Sequence, residues 1–185
     1  AGSPHSAWTD LPIGYQKLNF TYPEGELSDY HHELDLSTAV NTVTYKIGDT
    51  EYTRQSIASN PDDVIAMYIT ASRPEAITME LELNLLRNAE VIASGNQLIY
   101  TGNAEFEKHG RGGVLFEGRI AVEIKGGTIK ADGKKLLIDK ATEVTLLSDV
   151  RTNYKNTTFA GYDYKQKCKE TIEAAAKKSF KTLRN

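Results

Sequence analysis

The sequence predicts a mainly β chain: a large antiparallel two-sheet β-sandwich closed by one C-terminal α-helix. Three observations predict it. Through the first 150 residues, β-branched and aromatic residues gather in short runs that lack helical spacing. Turn signals such as Gly48-Asp49, Gly95-Asn96 and Asp132-Gly133 separate the runs at roughly 8 to 12 residues, as in all-β sandwiches. The pattern then changes. Cys168, Ile172, Ala175 or Ala176, Phe180 and Leu183 recur at the spacing of one face of an amphipathic helix.

The elements follow in order. The stretch "DYHHELDLSTAV" (29–40) sets two histidines beside acidic residues. On a strand, neighbours point to opposite faces, so His31 and His32 cannot readily share one metal ion. Glu33 and Asp35 share a face with His31, and Leu34 joins His32. From Val40 the run continues to Tyr45, turns at Gly48-Asp49 and returns over roughly Glu51 to Ile57. "SNPDD" (59–63) breaks the chain, since Pro61 restricts Asn60 and removes a donor. "VIAMYITAS" reads as a strand buried on both faces, and "ITMELELNLL" alternates apolar and polar from Ile77. "AEVIASGNQLIYTG" is a hairpin, "VLFEGRIAVEIKGG" one long strand, and "TIKADGKKLLIDKATEVTLLSDV" three strands with a break near Lys140. The absence of helical patterns here excludes a doubly wound nucleotide-binding fold.

The 185 residues fit one domain or one domain with an appendage, enough to bury a core without disulfides or metal. A net charge of −3 gives no basis for a nucleic-acid partner. Cys168 is the only cysteine, which excludes an internal disulfide and any CxxC zinc or redox site. No apolar run nears the ~20 residues of a membrane helix. "EKHGRGG" (107–113) could cradle an anion through its backbone amides, but the strand–loop–helix context of a P-loop is missing. His109 and Arg111 remain candidates for ligand contact if that loop faces a partner domain. Trp8, with the ten tyrosines, is a candidate for stacking on a sugar. No nucleophile elbow appears, and Asp62-Asp63 sit in a turn. The residues therefore predict no catalytic group, no metal and no cofactor.

Five stretches resemble a known family, in that family's order. "AWTDLPIG" (7–14) resembles the W-x-x-A-L-P-I-G-N-G opening of glycoside hydrolase family 95, the α-L-fucosidase family. "YQKLNFTY" (15–22) is similar to its Y-Q-x-L-G-D-L-x-x-x-F, and residues 30–69 to its Y-x-R-x-L-D-L-x-T-A hairpin and Y-x-R-E-x-F-x-S-x-P-D-x-V-I pattern. Residues 126–154 resemble the end of its sandwich, and 168–184 the helix leading out of it. Two departures stand out. Gly14 runs directly into Tyr15, where the family has Asn-Gly and a longer segment, and Lys17-Leu18-Asn19 replaces Leu-Gly-Asp.

The resemblance implies a sandwich of the supersandwich type over residues 1–160. It implies a C-terminal helix over 161–185 that leads towards a catalytic (α/α)6 barrel absent from this sequence. In the family the barrel supplies the acid and base, so the resemblance assigns no catalytic residue here and implies an inactive accessory domain. Its partners would be the barrel of the same parent chain and fucosylated glycans, in a periplasmic or extracellular bacterial setting. A free-standing carbohydrate-binding or interaction module is the alternative. His31 and His32 fall where the family shows ordinary polar strand residues, and Asp35, Thr38 and Ala39 where it turns into the next strand.

Overall fold

The computed structural model describes residues 12–104, 114–154 and 162–184. Twelve strands and two helices follow in chain order among them: β1 (Gly14–Thr21), β2 (Leu27–Asp35), β3 (Val40–Ile47), β4 (Thr50–Ser59), β5 (Val64–Ala71), β6 (Ile77–Leu85), β7 (Asn88–Ser94), β8 (Gln97–Ala104), β9 (Val114–Lys125), β10 (Thr128–Asp132), β11 (Lys135–Ala141), β12 (Glu143–Thr152), α1 (Tyr164–Ala175) and α2 (Phe180–Arg184). The strands form two antiparallel sheets. The smaller has four strands in the order β1-β6-β11-β10, and the larger has eight in the order β2-β3-β4-β5-β12-β9-β8-β7. The expected two-sheet sandwich is therefore the fold.

The core lies where the small sheet covers the large one. Ile77, Met79 and Leu81 of β6 and Leu136 and Ile138 of β11 pack against Ile69, Leu98, Ile120, Val122, Val144 and Leu146 of the large sheet. The alternating pattern read in β6 places its apolar set inward, as a period of two demands. The opposite face of the large sheet is covered as well. Val40, Ile57, Val64, Ala66, Ala121 and Leu147 meet Ile172 and Ala175 of α1 and Phe180 and Leu183 of α2. This double covering is why β5 carries apolar residues on both faces and why the middle of β9 is buried without alternation.

Two elements differ from the sequence reading. β1 is a full strand, paired with β6 from Gly14↔Leu85 to Thr21↔Thr78. Its inward positions Leu18 and Phe20 join the core, but the polar Lys17 and Asn19 between them hid the strand signal. The C-terminal helix is present and interrupted. Asp163 caps α1 by accepting from the amides of Lys165 (3.0 Å) and Gln166 (3.1 Å). After Ala175 the chain tightens through the Lys178 amide onto the Ala175 carbonyl (2.9 Å), and the Ser179 hydroxyl accepts from the Thr182 amide (3.2 Å) to start α2. The break turns Phe180 onto Tyr68, ring centroids 5.2 Å apart.

Candidate functional site

The small sheet is half as wide as the large one, so the inner face of β4, β5 and β12 stays partly uncovered beyond the edge strand β1. A groove of about 500 Å³ runs there, with Gln16, Ile65, Tyr100, Ser148 and Val150 on its floor and walls and Asn60 on its rim. Register explains the grouping. Ala58, Ile65, Ser148 and Ile120 form one row across the large sheet, and Val150, Gly118 and Tyr100 form the next.

The floor depends on a glycine. Gly118 stands opposite Tyr100, and a Cβ there would lie 2.1 Å from Tyr100 Cζ and 2.3 Å from its hydroxyl oxygen. The tyrosine ring therefore lies across the glycine and carries its hydroxyl towards Val150 and Ser148. Tyr100 is 6% exposed. Burial raises its hydroxyl pKa. Among the described residues that hydroxyl has no hydrogen-bond partner. The Gln16 amide nitrogen donates to the Ser148 hydroxyl (2.7 Å) and ties the two sheets together. The Gln16 carbonyl oxygen and the Asn60 side chain have no partner among the described residues.

The carboxylates at this end are committed elsewhere. Asp149 accepts from Arg151 Nε (2.8 Å). Asp63 lies 3.1 Å from Arg151 Nη2, close enough for charge attraction but too oblique for a hydrogen bond. Both therefore share one arginine, and the three groups keep one net negative charge. Asp149 and Arg151 continue into a second pair beneath α1, where Arg119 donates to Glu117 (2.8 Å). Across β9 and β12, Glu117 faces Arg151 and Arg119 faces Asp149, so four alternating charges are set into the sheet's outer face. Cys168 of α1 closes over them with Sγ 3.6 Å from the Asp149 carbonyl oxygen. Burial pushes its thiol up to about 12.

The two histidines lie on opposite faces of the exposed strand β2. His31 Nε2 lies 3.2 Å from Glu33 Oε2 on one face of β2, and His32 Nε2 lies 2.7 Å from Asn41 Oδ1 on the other. Asp35 organises the following turn. It accepts from the Ser37 amide (2.8 Å), the Ser37 hydroxyl (2.7 Å) and the Thr38 hydroxyl (2.8 Å), and these bonds hold its carboxyl down at about 2. Ala39 completes the turn at φ 54°. Among the described residues no cluster of histidine, cysteine or acidic side chains could hold a metal ion, and no helix is long and apolar enough to cross a membrane.

Trp8, His109 and Arg111 lie outside the described residues. Sequence reasoning missed Gln16, Tyr100 and Ser148. One signal was present: a lone glycine inside a strand pattern, Gly118 between Glu117 and Arg119, marks a close approach by another group.

Comparison with known proteins adds the following. The model of the glycosyl hydrolase family 65 N-terminal domain matches residues 2–157. Alpha-L-fucosidase 2 of Arabidopsis thaliana is 28% identical over 200 residues, an alignment that takes in 94% of this chain and 23% of that protein. Probable alpha-fucosidase A of Aspergillus niger is 30% identical over 190 residues, which cover 92% of this chain and 23% of its own. The chain thus spans about a quarter of the length of these curated relatives. A putative kojibiose phosphorylase from the human microbiome shares the fold, with a TM-score of 0.60 at 13% identity over 91% of this chain and 26% of that one.

Proposed function

The chain belongs to the glycosyl hydrolase family 65 N-terminal domain family, and from that premise we propose that it is the non-catalytic N-terminal domain of an α-L-fucosidase-like glycoside hydrolase of the family 95 kind. One observation carries the reading. The relatives named as fucosidases align with nearly all of this chain but with only 23% of their own length. The site chemistry agrees, because the carboxylates beside the groove are already paired with Arg151.

In this reading residues 1–160 form the sandwich, and residues 161–185 lead towards a catalytic (α/α)6 barrel on which the sandwich packs. The domain is a scaffold that shapes one wall of the substrate cleft and has no turnover of its own. The test is an assay with an aryl α-L-fucoside, run on this chain alone and on a parent chain that contains it. The expected result is activity in the longer chain only. Turnover by the 185 residues alone overturns the proposal.

A further inference from the structure

We propose that the groove beside β1 is a binding site for one neutral sugar residue, best filled by a 6-deoxyhexose. The choice of a deoxy sugar rests on the fucosidase-like reading above; the groove's own chemistry does not.

The groups that remain open in the groove share a character. Tyr100 offers a hydroxyl, Gln16 a carbonyl oxygen, Ser148 a hydroxyl hydrogen and Asn60 an amide. All are neutral, and both donors and acceptors are present, which matches the hydroxyl groups of a sugar. Two carboxylates, Asp63 and Asp149, share the single arginine Arg151, so this group keeps one net negative charge. An anionic ligand would therefore be repelled, and a neutral one has no ion to desolvate. The volume of about 500 Å³ lies within the range of small-ligand sites.

The Tyr100 hydroxyl is the strongest pointer. It belongs to a side chain more than nine-tenths buried, is aimed over Gly118 into the groove, and has no partner among the described residues. The ring is buried while the hydroxyl itself opens to the groove, since it is not among the side-chain atoms sealed from water without a partner, so a ligand hydroxyl can replace water on it. Within the same two rows lie Ile65, which is 59% exposed and pairs with Ser148, and Val150, which pairs with Gly118. Aliphatic side chains interleaved with neutral hydrogen-bonding groups suit a sugar that carries a methyl group in place of a hydroxymethyl.

The experiment is a protein-observed NMR titration of the 185-residue chain with L-fucose, L-galactose and D-glucose, up to tens of millimolar. L-Galactose differs from L-fucose only by a hydroxyl on the methyl carbon. The expected result is saturable shifts at Gln16, Ser148 and residues 58–65, strongest for L-fucose. Tyr100→Phe and Ser148→Ala each weaken binding roughly threefold to tenfold, the effect of one neutral hydrogen bond. Gln16→Ala, at an exposed position, does the same without touching the core and stands in if either buried variant unfolds. The absence of saturable shifts with all three sugars overturns the proposal, as does saturation left unchanged by these variants. Equal affinity for L-fucose and L-galactose overturns the role of Ile65 and Val150. The result is separable from the proposed function, because binding is read here without hydrolysis. An inactive domain with an empty groove, or an active one with a filled groove, would each be visible.

Discussion

The buried charges beneath α1 make a sharp prediction. Glu117 is 4% exposed, and among the described residues it forms an ion pair with Arg119, at 2.8 Å. Unit charges at such a distance attract by about 6 kcal/mol at the effective dielectric of pairs near a protein surface. Desolvation of the two ions consumes several kcal/mol of that, so the intact pair contributes little net stability. Removing one partner is a different matter, because the remaining charge stays buried with only Arg151 opposite it on β12, and Arg151 is already engaged by Asp149. Arg119→Met keeps the length of the side chain and strands the Glu117 carboxylate, which costs about 3–5 kcal/mol.

For a chain of this size each kcal/mol lowers Tm by about 2–4 °C, so calorimetry should record a fall of roughly 6–20 °C. The double variant Glu117→Leu/Arg119→Met removes both charges and leaves an apolar surface under α1. It should recover to within about 1 kcal/mol of the parent in urea unfolding. A loss under about 1 kcal/mol for Arg119→Met would show that Glu117 is hydrated and that α1 does not seal the network. A double variant no better than the single one would refute the argument equally.

Other expectations follow from packing and titration. Ile172→Ala, at a position 1% exposed under α1, should destabilise the chain by about 2–4 kcal/mol in urea unfolding; unchanged stability would mean that the helix is loosely attached. Gly118→Ala forces a methyl against the Tyr100 ring and should cost about 1–3 kcal/mol, with a changed near-ultraviolet circular dichroism signal from the displaced tyrosine. The Asp35 carboxyl should titrate by NMR with a midpoint of about 2, against an ordinary value of 3.8. Because the folded state holds the proton less tightly, the turn's contribution is complete above the ordinary value and disappears as pH falls through about 2. The Cys168 thiol, pushed up to about 12 by burial, should react with a thiol reagent at neutral pH only as fast as the chain opens; rapid labelling of the native protein would contradict its burial.

Much of the sandwich was legible because each hairpin carries its own instruction. Gly48-Asp49 and Gly95-Asn96 close β3–β4 and β7–β8, and both glycines adopt positive φ, 55° and 59°. The alternation in β6 specified which face turns inward, and the apolar run of β5 announced a strand covered on both sides. The pairing of β5 with β12 and of β1 with β6 was not legible, because no local turn encodes partners some 70 residues apart. The groove was hidden for the same reason. Gln16, Tyr100 and Ser148 come from three distant strands and meet only once the sheets are stacked.

The double covering of the large sheet also resolves an oddity in β9 and β12. A strand with charged residues at every second position normally presents that side to water, which is how "FEGRIAVE" and "SDVRT" would be read alone. In this fold the same side is roofed by α1, and the charges persist there because each strand supplies both signs two residues apart. Glu117 and Arg119 pair along β9, Asp149 and Arg151 along β12, and the antiparallel register then sets each acid opposite an arginine of the neighbouring strand. A slip of one residue between these strands would turn one pair of charges into the apolar core. The quartet therefore penalises misregister between β9 and β12 more strongly than an apolar patch would, so removal of its β9 pair should leave stability nearly intact while making that register less exclusive. Hydrogen exchange at the β9 and β12 amides of the double variant measures this directly: faster exchange there at unchanged global stability is the expected result, and uniform protection would show that the core alone fixes the pairing.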